Sequence, residues 1–231
     1  MRFATSNVTA LLNYDVERWN TNGRSVVWVQ LPELSASNSY IWAYWGNPAV
    51  SNAPSFGTNG AAWSAGYKGV WHMAASDDKD ATPLAHHGTA VGSVTHITDG
   101  RIAGANAFDA DIDYIAVPDS DDFTLAADYT LSAWLKSAAI GNQDEGFMGT
   151  YSGQGFMFAL QNNADNTLRA WTDGWRSSDY ATPEDRWVHV AYTRKGSVGR
   201  YYVDGQMVRD RNDARAGTNG GELQLGGAGT S

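Results

Sequence analysis

Short runs of apolar and β-branched residues alternate with turn-forming residues along most of the chain. In one such run Leu131, Ala133 and Leu135 alternate with polar or aromatic neighbours. Successive side chains of a strand point to opposite faces, so this period of two predicts a strand with one apolar face. No segment keeps the period of 3.6 residues that an amphipathic helix requires. The pattern therefore predicts an all-β chain.

Two further features favour a β-sandwich. Residues 187–192 form a second alternating run with one apolar and one mixed face, as is typical of sandwich strands. Residues 203–206 read Val-Asp-Gly-Gln, and the pair Asp204-Gly205 supplies the positive φ angles that a type I′ turn requires. We therefore expect a tight β-hairpin around residue 204.

The composition agrees with this prediction. Aromatic residues make up 12% of the chain and 25 residues are Gly, whereas only five of the 25 acidic residues are Glu. Asp and Gly favour turns and Glu favours helices, so this composition also indicates β-structure. Residues 48–66 are rich in Pro, Ser, Asn, Gly and Ala, and form the best candidate for a linker.

Charge and cysteine content exclude several classes of function. The net charge of −9 argues against a nucleic-acid binder, which needs a basic surface to displace counterions. The apolar runs are too short for a membrane-spanning helix. The absence of Cys excludes disulfides, thiolate metal sites and cysteine nucleophiles. Residues 1–5 lack the apolar region of a signal peptide, so we expect either a protein that is not secreted or a piece of a longer chain.

Four sequence blocks resemble the laminin-G-like, concanavalin A-like jelly-roll family that is found widely in bacterial secreted proteins. These blocks, in family order and spacing, are residues 69–73 with 80–82, 106–118, 129–136, and 186–193 with 201–206. The resemblance implies a concanavalin A-like β-sandwich, or jelly roll, over residues 61–231. The family usually has Gly where Ala110 stands, and it closes with a further strand that this chain lacks after residues 223–227. We therefore expect a neighbouring chain or another segment to complete the edge of the sandwich.

Residues 1–60 resemble a second bacterial family, a domain of unknown function of the DUF2341 type. The matching segments are residues 1–3, 12–19, 27–32 and 44–48. The resemblance implies a small, partial β-rich domain that precedes the jelly roll. Proteins with this pairing are typically extracellular or part of the cell envelope, and we expect the same location here.

The most unusual local feature is an acidic cluster, with seven Asp and no Lys or Arg in residues 109–128. Asp109, Asp111 and Asp113 share one face if this segment is extended, and oxygen ligands suit Ca²⁺. The spacing is not that of an EF-hand, because Tyr114 and Ser120 occupy its Gly and Glu positions. A solvated acidic loop explains the residues equally well. The family resemblance favours one structural Ca²⁺, with Asp80 from the preceding loop as a further ligand.

Three aromatic residues mixed with polar groups form a candidate sugar-binding platform. Trp171, Trp175 and Tyr180 lie in a Gly-containing segment together with Arg and Asp residues. Exposed aromatic rings of this kind stack on sugars, although burial in the core is an equally good interpretation of Trp175.

The sequence argues against an enzyme. Glycoside hydrolases of this fold typically carry a Glu-x-Asp-x-x-Glu motif on one strand, and this chain has none. His86 and His87 are adjacent and would diverge on an extended chain, which argues against a zinc pair. We therefore expect a non-catalytic bacterial module that binds a glycan or a cell-surface protein. The alternatives are an assembly module of an envelope complex or surface filament, and a glycoside hydrolase.

Overall fold

The chain forms two compact units. The computed structural model describes residues 1–5, 10–34, 39–50, 52–64, 66–74, 77–110, 112–126, 128–138, 145–150, 155–161, 166–218 and 220–228. The first unit comprises Met1–His87 with His96–Ala105, and the second comprises Gly88–Thr95 with Asn106–Ser231. Residues 61–87 thus belong to the first unit, and the domain boundary between residues 60 and 61 stays a prediction.

The predicted all-β class is confirmed. The strands are β1 (Arg2–Thr5), β2 (Tyr14–Arg18), β3 (Val26–Val29), β4 (Ile41–Tyr44), β5 (Thr89–Val91), β6 (Thr95–Ile97), β7 (Ala105–Ala107), β8 (Tyr114–Val117), β9 (Tyr129–Leu135), β10 (Glu145–Gly149), β11 (Met157–Gln161), β12 (Thr167–Trp171), β13 (Trp175–Ala181), β14 (Val188–Lys195), β15 (Val198–Val203), β16 (Gln206–Arg211) and β17 (Leu223–Ala228). Three short 3-10 helices are η1 (Ser55–Gly57), η2 (Ala61–Trp63) and η3 (Asp121–Phe123). Among the described residues, no helix is long and apolar enough to cross a membrane.

The second unit is a sandwich of two antiparallel sheets. One sheet has the order β13-β12-β11-β10-β17-β8-β5, and the other has the order β16-β15-β14-β9. Both sheets contribute to one buried apolar cluster, which consists of Phe158, Leu160, Leu168, Ala170, Val188, Val190, Tyr192, Tyr201 and Val203. This interior cluster fixes which face of each strand points inward, and therefore which side chains the sheets present on their outer faces.

The predicted hairpin turn is present between β15 and β16. Asp204 and Gly205 have φ angles of 48° and 80°, as a type I′ turn requires. The C-terminal strand β17 lies inside its sheet and pairs with both β10 and β8. In the described part of the other sheet, β9 is the end strand and pairs with β14. Completion of an edge by a neighbouring chain or domain stays a prediction.

The first unit is built around two small sheets, β1-β4 and β2-β3. Phe3, Leu12 and Tyr14 form its buried cluster, and Val27, Val29 and Ile41 pack against them. Because Tyr14 faces this cluster, the next residue on β2 points to the opposite face of the hairpin. That face carries the polar cluster described below.

Candidate functional site

The outer face of the seven-stranded sheet brings together two of the three predicted aromatic residues. Trp171 ends β12 and Trp175 begins β13, and the two residues are direct partners in the antiparallel register. Directly opposed residues point to the same face, so both indoles lie on one side of the sheet. Leu168 and Ala170 face the interior cluster, which places Trp171 on the outer face. The turn between the strands needs left-handed residues at Asp173 (φ 66°) and Gly174 (φ 121°).

A cation lies against one of these rings. The guanidinium carbon of Arg169 is 3.4 Å from the centroid of the Trp175 ring. Trp175 is 40% exposed, whereas Arg169 is only 6% exposed. Burial lowers the pKa of Arg169 to about 10, so the guanidinium keeps its charge at neutral pH. The Arg169 contact fixes the orientation of Trp175 through a cation–π interaction and leaves an exposed aromatic surface.

Tyr180 does not join this face. Its side chain is partly buried and packs against the interior cluster. Tyr180 lies five residues after Trp175 on β13, and successive side chains of a strand alternate between the two faces, so the two rings point to opposite sides. The structure therefore forms a pair of outer-face indoles where the sequence predicted three rings. Ligand binding by Trp171 and Trp175 stays a prediction.

The predicted acidic site is divided between different environments. Asp109 is exposed, Asp111 lies outside the described residues, and Asp113 is fully buried. The Asp113 carboxylate accepts hydrogen bonds from the backbone N–H groups of Ser93 (2.6 Å), Asp109 (3.1 Å) and Ala110 (3.1 Å). The N–H of Ser93 lowers the pKa of Asp113 most strongly, and this effect with the other two bonds outweighs the opposing effect of burial. Backbone dipoles therefore stabilise this buried negative charge.

Asp80 belongs to the first unit, and its side chain stabilises the loop that follows it. Its carboxylate accepts hydrogen bonds from the backbone N–H groups of Val70, Thr82 and His86, each at 2.9 Å, and from the Thr82 hydroxyl at 2.7 Å. Both oxygens are thus engaged in closing the loop. Within the described part of the chain, no group of three or more His, Cys, Asp or Glu side chains is arranged to hold a metal ion. Binding of Ca²⁺ near Asp109 and Asp111 stays a prediction.

A cluster that the sequence did not predict lies on the outer face of the β2-β3 hairpin. His72 Nε2 is 2.8 Å from Asp15 Oδ2, and His72 Nδ1 is 3.5 Å from Glu17 Oε2. Each carboxylate also accepts a bond from an indole N–H: Trp63 bonds to Asp15 at 2.9 Å and Trp28 bonds to Glu17 at 2.5 Å. The only sequence signal was the spacing of two acids, Asp15 and Glu17, two residues apart in an extended segment.

The cluster is ordered by both charge and stacking. The His72 ring stacks on Trp28, with ring centroids 5.9 Å apart and an interplanar angle of 11°. The Glu17 side chain is 2% exposed and that of His72 is 17% exposed. Burial acts to raise the pKa of Asp15, but the hydrogen bonds from His72 and Trp63 outweigh it and hold the pKa below its usual value. Carboxylate oxygens therefore face both ring nitrogens of His72.

Comparison with solved structures shows the same fold in two other protein domains. Domain 4 of AbnA, an extracellular GH43 arabinanase from Geobacillus stearothermophilus solved with arabinotriose, aligns with a TM-score of 0.53 at 17% identity, over 64% of this chain and 77% of that one. The binding domain of Paraclostridial Mosquitocidal Protein 1 aligns with a TM-score of 0.54 at 15% identity, over 70% of this chain and 44% of that one. The chain therefore matches less than half the length of the second structure. No curated protein sequence matches the chain.

Two family models match the sequence. Residues 1–65 match a domain of unknown function, DUF2341, as the resemblance of residues 1–60 predicted. Residues 109–231 match the model described as the concanavalin A-like lectin/glucanases superfamily. Since the second match covers more than half of the sequence, the chain belongs to the concanavalin A-like lectin/glucanases superfamily.

Proposed function

We propose that the chain is a non-catalytic carbohydrate-binding module of an extracellular or cell-envelope protein. The observation that carries this proposal is the pair Trp171 and Trp175 on the outer face of the sandwich. An exposed indole with a fixed orientation offers a flat surface on which a sugar ring can stack. Arg169 holds Trp175 from one side, so the ring needs little reordering when a ligand binds.

The comparisons and the sequence support a binding role over an enzymatic one. A domain of the same fold was solved with arabinotriose, which shows that this architecture accommodates a sugar ligand in that protein. The present chain has no Glu-x-Asp-x-x-Glu motif anywhere in its sequence. The described carboxylates of Asp80 and Asp113 accept hydrogen bonds from backbone N–H groups, which gives each of them a structural role.

The proposal is tested by measuring glycan binding of the full chain and of Trp175→Ala. A glycan array identifies the ligand, and calorimetry with that glycan gives the affinity. We expect Trp175→Ala to weaken binding at least tenfold, or about 1.4 kcal/mol, because the stacking surface is lost. The matched control is Trp134→Ala, which removes an indole of similar exposure (36%) from β9 in the other sheet and should leave the affinity unchanged.

Three results would contradict the proposal. They are an array without any retained glycan, an affinity that Trp175→Ala does not change, and release of new reducing ends from the bound glycan. The last result would favour a glycoside hydrolase. If Trp134→Ala weakened glycan binding as much as Trp175→Ala, the binding would not be specific to the surface around Trp175, and the four-stranded sheet would take part in it.

We also propose that one Ca²⁺ binds near Asp109 and Asp111. A ligand present at a hundredfold excess over its Kd stabilises the folded state by about 2.7 kcal/mol, which raises Tm by roughly 5–10 °C. Mg²⁺ should act much less, because it requires tight octahedral coordination. Melting curves in EDTA, Ca²⁺ and Mg²⁺, repeated with Asp111→Asn, measure this effect. Curves that coincide within about 1 °C would identify the cluster as a solvated surface.

A further inference from the structure

The indole pair of the second unit lies against a buried cation. The guanidinium carbon of Arg169 is 3.4 Å from the centroid of the Trp175 ring, and Arg169 is only 6% exposed. Arg169 is the direct partner of Ser177 in the register of β12 and β13, so it lies diagonal to Trp175 on the same face of the sheet. One side of the Trp175 ring therefore contacts the guanidinium, and the exposed part of the ring faces solvent.

A cation on one side of an indole changes what the other side attracts. The face of an aromatic ring is negative, and by itself it attracts the weakly positive C–H groups of a sugar. A guanidinium behind the ring offsets this negative potential and attracts any negative group that is placed over the open side. The open side of Trp175 therefore favours a sugar with a negative group over the same sugar without one.

The burial of Arg169 makes this effect strong relative to the charges around it. Solvent and salt screen a buried charge much less than an exposed one. The turn that joins the two indoles carries an acid, Asp173, but its side chain is 82% exposed and its opposing charge is screened more strongly. The buried cation therefore dominates the electrostatic potential over the ring.

A second cation lies at the same turn. Nη1 of Arg215 is 3.9 Å from Oδ2 of Asp173, and the side chain of Arg215 is 63% exposed. An exposed ion pair of this length contributes little free energy, so a ligand anion can replace the carboxylate of Asp173 at low cost. The planar guanidinium also presents paired N–H donors that match the two oxygens of a carboxylate.

The whole group of charges around the β12-β13 hairpin is positive. Residues 169–179 and 209–215 contain five Arg and four Asp, a net charge of about +1 by simple counting, whereas the chain carries −9. Three of the four Asp form ion pairs with an Arg of the same group, at 3.1, 2.9 and 3.9 Å. The overall charge of the chain repels anions, so a preference for an acidic ligand has to come from this local group.

We propose that the glycan bound at Trp171 and Trp175 carries a negative group. Its sugar ring stacks on the open side of Trp175, over the charge of Arg169, and its anion is directed toward Arg215. This inference rests on the proposed function, because it concerns the same binding site. The required chemistry is an anionic oxygen group on a sugar, which either the carboxylate of a uronic acid or a sulfate ester supplies.

The decisive experiment compares ligands that differ only in charge. Uronate oligosaccharides are paired on an array with their methyl esters, and sulfated oligosaccharides are paired with their desulfated forms. Calorimetry with the full chain then gives the affinity for both members of the best-bound pair. We expect the charged member to bind about tenfold more tightly or better, and the type of pair identifies carboxylate or sulfate as the source.

The outcomes separate this inference from the proposed function. Equal affinities within the pair, or tighter binding of the neutral member, would overturn the inference and leave glycan binding intact. An array without any retained glycan would overturn both. This comparison needs no substitution, so it does not depend on the folding of a variant.

Three variants test whether the selectivity comes from this site. Arg169→Met should lower the ratio of charged to neutral affinity to about one, whatever it does to the two affinities, because it removes the charge behind the ring. Arg215→Gln should lower the ratio about two- to fivefold. The control is Arg186→Gln, which removes an exposed cation that pairs with Asp204 at 3.3 Å in the hairpin turn of the other sheet, and should leave the ratio unchanged. A ratio that persists in folded Arg169→Met, or that Arg186→Gln lowers as much as Arg215→Gln, would overturn the inference.

Discussion

Replacement of Phe158 by alanine is expected to lower the free energy of unfolding of the second unit by about 3–5 kcal/mol. Phe158 is fully buried in the interior cluster. Its ring lies 4.6 Å from that of Phe147 and 6.3 Å from that of Tyr192, measured between centroids. The substitution therefore removes the contact between β10 and β11 and the contact with Tyr192 on β14 of the other sheet. At roughly 2–4 °C per kcal/mol, Tm should fall by about 6–20 °C.

Denaturant unfolding monitored by near-ultraviolet circular dichroism measures this loss. The control is Met207→Ala, which removes a 54% exposed side chain and should change the free energy of unfolding by less than about 0.5 kcal/mol. A loss below about 1 kcal/mol for Phe158→Ala would show that the two sheets do not close on a common core at this position.

The architecture could be predicted because strand alternation is a local property. The alternation of Leu131 with Ser132 and Trp134 gives the inward and outward faces of β9, as the structure confirms. The hairpin at Asp204 was predictable for a similar reason, since a type I′ turn requires residues that accept positive φ. Neither inference depends on distant parts of the chain.

The candidate site could be predicted only in part, because strand boundaries and loop closure are not evident from the sequence. The sequence placed Tyr180 with Trp171 and Trp175, but Tyr180 and Trp175 lie on one strand an odd number of residues apart, so Tyr180 points toward the core. The roles of Asp80 and Asp113 were ambiguous for a different reason. A carboxylate that binds a metal and one that accepts backbone N–H bonds have the same sequence signal.

The polar cluster of Asp15, Glu17, Trp28, Trp63 and His72 could not be predicted, because its residues come from four separate segments of the chain. Asp15 and Glu17 lie on β2, Trp28 lies on β3, Trp63 lies on η2, and His72 follows later. Each residue taken alone is typical of a strand or a core. Only the fold shows that the imidazole lies between two acids and against two indoles.

Replacement of Asp80 by alanine is expected to open the loop that follows it and to destabilise the first unit by about 3–5 kcal/mol. The substitution leaves the N–H groups of Val70, Thr82 and His86 without their acceptor. Each buried donor that loses its partner costs about 1–3 kcal/mol. The loop also positions the carbonyl of His86, which accepts the indole N–H of Trp71 at 3.0 Å.

Two variants separate the role of Asp80 in loop closure from a general effect of charge. Asp80→Asn keeps an oxygen that can accept hydrogen bonds from the N–H groups of Val70 and Thr82. We therefore expect this variant to lose about half as much stability as Asp80→Ala. Asp77→Ala removes an exposed acid of the same unit whose bond to Lys79 is 2.6 Å, and should change stability by less than about 1 kcal/mol. Thermal melting in EDTA and in Ca²⁺ distinguishes the two roles proposed for Asp80. If its carboxylate closes the loop, each of the three variants should lose as much stability in EDTA as it loses in Ca²⁺. A loss for Asp80→Ala that is seen only in Ca²⁺ would instead return Asp80 to the metal site that its sequence context suggested.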